Sequence, residues 1–143
     1  MSDSKRMGWG IAALRFIVGV VFLVHGSQKL FVYGFSGVGG SFAHLGIPVP
    51  AVSAVVVTLV EFLGGLALIS GLFTRGAAIL LAIDMTVAVL AVHAKHGFFA
   101  SAGGYEYPLT LLVANISLAL AGPGVCALDN ALCKTRTPGK QTA

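Results

Sequence analysis

Long apolar segments constrain the fold of this chain more than any other feature. Four can be distinguished, at residues 9–31, 51–73, 76–94 and 105–121. A helix needs roughly 20 apolar residues to cross a bilayer core of ~30 Å, and the first three segments have that length. The fourth ends at a Gly-Pro-Gly stop at residues 122–124, so the residues that follow would complete its crossing. With 57% hydrophobic and 10% charged residues, the composition also indicates a membrane protein.

We therefore predict an all-α integral membrane protein, a four-helix bundle with both termini in the cytoplasm. The orientation follows from the basic residues, because Lys and Arg concentrate on the cytoplasmic side of membrane proteins. On that side we place the basic residues before the first segment, in the short second connection and after the fourth segment: Lys5, Arg6, Arg75, Lys134, Arg136 and Lys140. Lys29 and Lys95 fall on the opposite side.

The predicted organisation is one membrane domain with short ends. Residues 1–8 form a cytoplasmic N-terminus, residues 9–127 the four-helix domain and residues 128–143 a basic cytoplasmic tail. The first apolar segment is longer than the about 7–15 residues of a signal-peptide core, so we expect an uncleaved helix. The net charge of +4 comes from scattered Lys and Arg rather than from one basic stripe, which argues against nucleic acid as a partner.

Two cysteines near the C-terminus, Cys126 and Cys133, are too few for a disulfide framework. They have no neighbouring His or second Cys pair that would complete a zinc site, so no metal site is expected. On the predicted cytoplasmic side they would be ordinary thiols.

Polar side chains interrupt the apolar segments, and they carry the functional hypothesis. An ionised side chain near the bilayer centre costs ~2.5–3.5 kcal/mol, so such residues face the interior of a bundle and find partners there. The candidates are Arg15, His25, Gln28, Lys29, Glu61, Asp84, His93 and Asn115.

Depth along the helices suggests which of these residues meet. Because a helix rises ~1.5 Å per residue, Arg15 and Asp84 lie at similar depths, and we expect them to pair or to share a water. Glu61 is expected to approach His25. The side chains expected near the outer mouth are Lys29, His93 and Glu106.

Helical phase limits these groupings. His25 and Lys29 are four residues apart and share one face of the first helix. Asp84 and His93 are nine apart, about half a turn out of phase on an ideal helix. Either the third helix bends or His93 belongs to the loop that follows.

Small residues predict close packing between the first two helices. Glycines let backbones approach closely in lipid, and they recur at Gly19, Gly26, Gly64, Gly65 and Gly71. In so compact a bundle the polar residues could serve only to hold the helices together, and the sequence alone does not separate that role from a functional one.

A quinone is the diffusible cofactor that these residue types suit. Titratable groups at successive depths are typical of proton relays in membrane proteins. The aromatic side chains that could lie against a quinone ring are Phe22, Phe31, Phe98 and Phe99. The side chains that could donate hydrogen bonds to its carbonyls are His25, Lys29 and Tyr105.

A series of short motifs runs through the membrane region. In order, these are Leu14-Arg15, Gly19, Phe22, His25-Gly26, Lys29, Glu61, Gly64-Gly65, Gly71, Thr74-Arg75, Asp84-Met85, the run from His93 to Pro108, Gly122-Pro123-Gly124 and Leu128-Asp129. Over residues 8–130 their order and spacing resemble the DoxX family. The resemblance implies a four-helix protein of the bacterial inner membrane, related to the DoxD- and DoxA-type subunits of thiosulfate:quinone oxidoreductase.

Residues and resemblance together predict a small subunit or partner of a quinone-linked redox system in the bacterial plasma membrane. The activity would belong to an assembly with a redox partner protein or a second copy of the chain, rather than to this chain alone. Two alternatives stay open: a proton-coupled transporter or channel for a small solute, and a non-catalytic scaffold for another membrane protein. The predicted polar site contains Arg15, His25, Lys29, Glu61, Asp84, His93, Tyr105 and Glu106.

Overall fold

Helices and short helical turns form the regular structure of the described chain. The computed structural model describes the backbone of residues 1–135 and the side chains of residues 1–132. The α-helices are α1 (Asp3–Ser27), α2 (Gly34–His44), α3 (Pro50–Ser70), α4 (Thr74–Val87), α5 (Glu106–Ala121) and α6 (Leu128–Thr135). Wider π-helical turns follow α1 at Gln28–Tyr33 and α4 at Ala88–His93. The predicted all-α class is confirmed over this range, whereas most of the predicted basic tail and the side chain of Cys133 lie outside it.

Within residues 1–135, three helical stretches are long and apolar enough to cross a membrane. They occupy Asp3–His44, Pro50–Ser70 and Thr74–His96. α5 is apolar but has 16 residues, and it packs along α4 as a shorter fourth helix. The prediction of membrane-spanning helices is therefore confirmed, while the cytoplasmic placement of both termini stays a prediction.

The connection after α1 folds back onto the bundle. Gly34 has φ of +66°, a conformation that favours glycine, and it ends the π-helical turn before α2 begins. α2 then packs against α3. The Gly-rich connection between α1 and α3 thus contains a helix of 11 residues.

Glycines bring α1 and α3 into direct backbone contact, as the small-residue pattern predicted. A Cβ atom added at Gly19 would lie 2.9 Å from the carbonyl oxygen of Gly65. A Cβ at Gly26 would overlap the backbone of Phe62. Close approach of this kind maximises van der Waals contact where lipid provides no hydrophobic driving force.

The core lies where the four long helices meet. Its members include Val18 and Phe22 from α1, Leu68 from α3, Leu81 from α4 and Leu118 from α5, each 4% exposed or less. Asn115 is also buried, but it donates to the Leu111 carbonyl of its own helix at 2.8 Å. Among the described contacts Asn115 has no hydrogen bond to another helix, and its Oδ1 has no partner.

Arg15 joins the end of α3 to the turn after α5 instead of pairing within the bundle. Its Nη1 donates to the carbonyl oxygens of Leu68 at 2.6 Å and Ile69 at 3.1 Å, and its Nη2 donates to that of Cys126 at 3.0 Å. Leu68 and Ile69 lie in the last turn of α3, where the carbonyl oxygens carry partial negative charge. The expected pairing of Arg15 with Asp84 is wrong, because Asp84 lies beside Glu61 in the middle of the bundle.

Two further charged residues secure the same end of the bundle. Arg75 donates to the carbonyl oxygens of Ala119 and Leu120 at 2.7 and 2.9 Å, which are among the last of α5. The carboxylate of Asp129 accepts the backbone amides of Phe73 and Thr74 at 2.7 and 2.9 Å, at the start of α4. We call Arg15, Arg75 and Asp129 the helix-end clamp. Each places its charge against the helix terminus of opposite partial charge.

Candidate functional site

A cavity of about 610 Å³ opens in the half of the bundle remote from the helix-end clamp. This volume lies within the range of ~300–1,000 Å³ that small-molecule sites occupy. Phe22, Met85 and Leu111 form buried apolar parts of its wall. Phe42 and Leu45, in α2 and the turn after it, reach it from the side of the first connection. The cavity is therefore enclosed largely by apolar side chains.

Six ionisable side chains from four parts of the chain converge on this apolar space. They are His25, Lys29, Glu61, Asp84, His93 and Tyr107. A small number of polar groups in a mainly apolar pocket is typical of a ligand site. The polar groups fix the orientation of the ligand, while the apolar walls supply contact area.

Three of these side chains form a charged triad. The Nζ of Lys29 donates to Oε2 of Glu61, and their side chains are 22% and 6% exposed. Asp84 interacts with both Glu61 and Lys29. Its Oδ2 is buried and has no hydrogen-bond partner among the described residues. The ammonium group of Lys29 thus pairs with Glu61, Asp84 lies beside this pair, and one carboxylate oxygen of Asp84 is left without a partner.

The π-helical turns place Lys29 and His93 at the cavity. Each turn widens the helix and changes the direction of the side chains that follow it. Through the turn at Ala88–His93, His93 comes to line the same cavity as Asp84, although the two would diverge on an ideal α-helix. The question that helical phase left open is therefore answered by a local widening of the helix.

His25 and Tyr107 form an aromatic pair at the cavity wall. Their ring centroids are 6.3 Å apart and the rings are tilted by 49°. Glu61, expected to approach His25, forms its ion pair with Lys29 instead. Lys29 follows His25 by four residues, and its long stem carries a positive charge to the buried carboxylate.

Residues 94–105 connect the π-helical turn at Ala88–His93 to α5 and form the second outer connection. Tyr105 in this connection and Glu106 directly after it do not line the cavity. Glu106 accepts the backbone amide of Ala100 at 2.6 Å, and the Tyr105 ring packs edge-on against Phe98 with centroids 5.6 Å apart. His93 contacts the same connection, because its Nδ1 lies 2.6 Å from the Gly103 carbonyl oxygen. Tyr105 and Glu106 therefore order the loop, whereas His93 both lines the cavity and anchors the loop.

The structure thus divides the predicted polar site. It brings together His25, Lys29, Glu61, Asp84 and His93. It leaves Arg15 in the helix-end clamp, Tyr105 in the outer connection and Glu106 at the start of α5, bonded to that connection. Sequence reasoning missed Tyr107, although it lies four residues before the buried Leu111 and so on the same side of α5.

The expected aromatic walls are also largely wrong. Of the four phenylalanines proposed to contact a ring, Phe22 lines the cavity. Phe31 and Phe99 are 74% and 68% exposed, and Phe98 packs within the outer connection. Valine, leucine and methionine side chains supply most of the remaining wall. Within residues 1–132 no group of three or more His, Cys, Asp or Glu side chains has the arrangement of a metal site.

The fold and the cavity define a small helical membrane protein with a buried charged triad in an apolar pocket. The chain belongs to the DoxX family, because the family model described as DoxX matches residues 10–94. This range includes most of α1, all of α2 to α4 and every member of the triad.

Bacterial proteins of similar length are related to the chain. It is 37% identical to an uncharacterized protein of Haemophilus influenzae over 91% of this chain and 96% of the relative. It is 34% identical to "Putative oxidoreductase CatD" of Bacillus subtilis over 98% of this chain and 99% of that protein. It is also 34% identical to an uncharacterized membrane protein of Mycobacterium tuberculosis, over 89% and 83% of the two chains. No solved structure matches the chain.

Proposed function

We propose that this protein is a membrane subunit or partner of a quinone-linked redox system in the bacterial plasma membrane. The observation that carries the proposal is the charged triad of Lys29, Glu61 and Asp84 at a largely apolar cavity. Burying three ionisable groups in a membrane helix bundle is costly, and such groups commonly mark ligand or proton sites. The relative named as an oxidoreductase supports a redox setting.

The residues at the cavity fit a quinone ring. A quinone presents a flat apolar ring with two carbonyl acceptors, so it needs apolar walls and a few donors. Phe22, Met85 and Leu111 supply buried walls. Lys29 and Tyr107 carry donor groups, and a ring nitrogen of His25 can donate as well.

The triad is suited to handling protons. A quinone takes up two electrons and two protons when it is reduced to a quinol. Glu61 and Asp84 together can carry two negative charges against the single positive charge of Lys29. One added proton would make the triad electrically neutral, so this set of side chains can hold a proton without leaving a net buried charge. The unused Oδ2 of Asp84 is the atom best placed to receive it.

Electron supply is assigned to a partner protein. The side chains at the cavity exchange protons and hydrogen bonds, and none of them is a two-electron donor for a quinone. The chain therefore binds, orients and protonates, while a redox protein docked to the membrane delivers the electrons. This division is why we assign the activity to an assembly.

Binding of a quinone analogue to the purified protein in lipid nanodiscs tests the proposal. We expect His25→Ala and Glu61→Gln each to weaken binding by roughly tenfold or more, equivalent to ~1.4 kcal/mol. Glu61→Gln keeps the side-chain shape but removes the charge that holds Lys29 in place. His44→Ala is the matched control, since His44 is exposed and does not line the cavity. If all three variants bind like the parent, the site assignment is wrong.

A further inference from the structure

The cavity wall continues onto the surface of the bundle between α3 and α4. Five apolar residues line the cavity and are also exposed at that surface. Val52 and Val56 on α3 are 58% and 53% exposed, and Leu80, Ile83 and Val87 on α4 are 54%, 57% and 45% exposed. In a membrane-spanning bundle an exposed apolar surface faces lipid. The cavity is therefore bordered by side chains that also face the bilayer.

These residues form two facing stripes. Val52 and Val56 are four residues apart on α3, and Leu80, Ile83 and Val87 are spaced by three and four on α4, so each set occupies one helix face. We call the gap between them the α3–α4 crevice. It runs along the halves of both helices that are remote from the tight turn joining them.

The crevice closes toward that turn. A Cβ atom added at Gly64 would lie 3.1 Å from the side chain of Leu81, so α3 and α4 are in close contact at this level. The triad lies at the inner side of the crevice, because Glu61 belongs to α3 and Asp84 to α4. An apolar path thus leads from the lipid-facing surface to the charged groups.

Apolar side chains cover the cavity on the side of the connection between α1 and α3. Phe42, Leu45 and Ile47 line the cavity from α2 and the residues after it, and each is half-buried. The segment that carries them begins at Gly34 and packs on α3. This cover favours entry from lipid over entry from water.

We propose that the cavity takes its ligand laterally from the bilayer through the α3–α4 crevice, and that the ligand is an amphiphile with a long apolar tail. The polar ring reaches the triad while the tail lies between Val56 and Ile83 and continues into lipid. The apolar lining of the crevice suits such a tail, because methylene groups pack favourably against apolar side chains. They cannot form hydrogen bonds with the charged groups deeper in the site. This inference rests on the proposed function and specifies its substrate class as a lipid-tailed quinone.

Comparing two quinones with the same ring separates the contribution of the tail to binding from that of the ring. The probes are a decyl-tailed benzoquinone and the tailless benzoquinone with the same ring substituents. Their dissociation constants are measured in nanodiscs and expressed as mole fraction in the membrane, which corrects for partitioning. We expect the decyl compound to bind roughly tenfold more tightly, equivalent to ~1.4 kcal/mol.

Bulky substitutions then locate the tail. Ile83→Trp, which fills the crevice, is expected to weaken the decyl compound by about tenfold and to leave the tailless compound unchanged. Ile79→Trp is the matched control, because Ile79 lies on the same helix, is 51% exposed and does not line the cavity. Equal effects of the two tryptophan variants would overturn the crevice assignment even if both proteins fold normally.

The outcomes distinguish this inference from the proposed function. Equal affinity for both quinones, with loss of binding in Glu61→Gln, would retain the ring site and overturn lateral entry of a tailed ligand. If neither quinone binds, both the ring site and the lateral entry are overturned. A phospholipid acyl chain is the competing occupant: if excess phospholipid with a photoreactive acyl chain labels the crevice and displaces the decyl quinone, the inference is also overturned.

Discussion

Replacing Arg15 with methionine tests whether the helix-end clamp stabilises the fold without taking part in ligand binding at the cavity. The sequence places Arg15 among the polar-site candidates, whereas the structure uses its guanidinium to join α3 to the turn after α5. The side chain is 3% exposed and forms three hydrogen bonds of 3.1 Å or shorter to backbone carbonyl oxygens. Methionine keeps much of the apolar stem but removes all of these donors.

The expected loss of stability follows from these bonds. A hydrogen bond to a charged group contributes about 1.5–3 kcal/mol, and water at the end of the bundle can replace part of it. At ~1 kcal/mol lost for each of three bonds, Arg15→Met should lower the free energy of unfolding by about 3 kcal/mol, or the melting temperature by roughly 10 °C. Arg15→Lys should retain about half, because an ammonium keeps the charge but lacks the planar fork.

Thermal unfolding in detergent measures the effect, with quinone binding in the folded protein as a second assay. Arg6→Met is the matched control, since Arg6 is 66% exposed and forms a 3.6 Å ion pair with Asp3. Such a pair contributes at most ~1 kcal/mol. Arg15→Met should bind the quinone analogue like the parent. A melting temperature like that of Arg6→Met, or a selective loss of binding, would refute the structural role.

Two further predictions concern the same framework. Burial acts to raise the pKa of Asp129, but the two amide hydrogen bonds at the start of α4 outweigh it and hold the pKa below its usual value. Its stabilisation is therefore present above the ordinary carboxyl pKa of ~3.9 and lost as pH falls through the lowered value. Asp129→Asn should reduce the melting temperature at pH 7 by an amount that shrinks as pH falls below the ordinary carboxyl pKa, and a constant difference would contradict this. Gly26→Ala should cost about 2 kcal/mol or more on unfolding, because the methyl group would overlap the Phe62 backbone. Gly40→Ala, with open space around it, should not destabilise the protein.

Much of the fold could be predicted because lipid imposes simple rules. Backbone groups in a bilayer must be satisfied within the segment, so long apolar runs indicate helices without any knowledge of their neighbours. Glycine spacing likewise indicated the contact between α1 and α3, since small residues permit close backbone approach. The helical assignment and this contact depend on local chemistry that can be read directly along the chain.

For the polar site, the sequence predicted most of the residues at the cavity but not how they pair. His25, Lys29, Glu61, Asp84 and His93 stand out as ionisable residues in apolar segments, and the structure brings all five to one cavity. Their pairing could not be predicted, because depth counting assumes straight helices with uniform rise. The π-helical turns change side-chain direction, and the length of Lys29 lets it reach Glu61.

By itself, the sequence determined that this chain forms apolar membrane helices, which glycines at α1 and α3 allow to pack closely, and that a few ionisable residues must be buried among them. These properties follow from the free energy of transferring side chains and backbone into lipid, which is a property of each segment. The tertiary structure alone decided that Arg15 secures helix ends while Lys29, Glu61 and Asp84 share a cavity. A buried charge takes the partner that folding brings within hydrogen-bond distance, and that depends on helix ends, widened turns and crossing positions from distant parts of the chain.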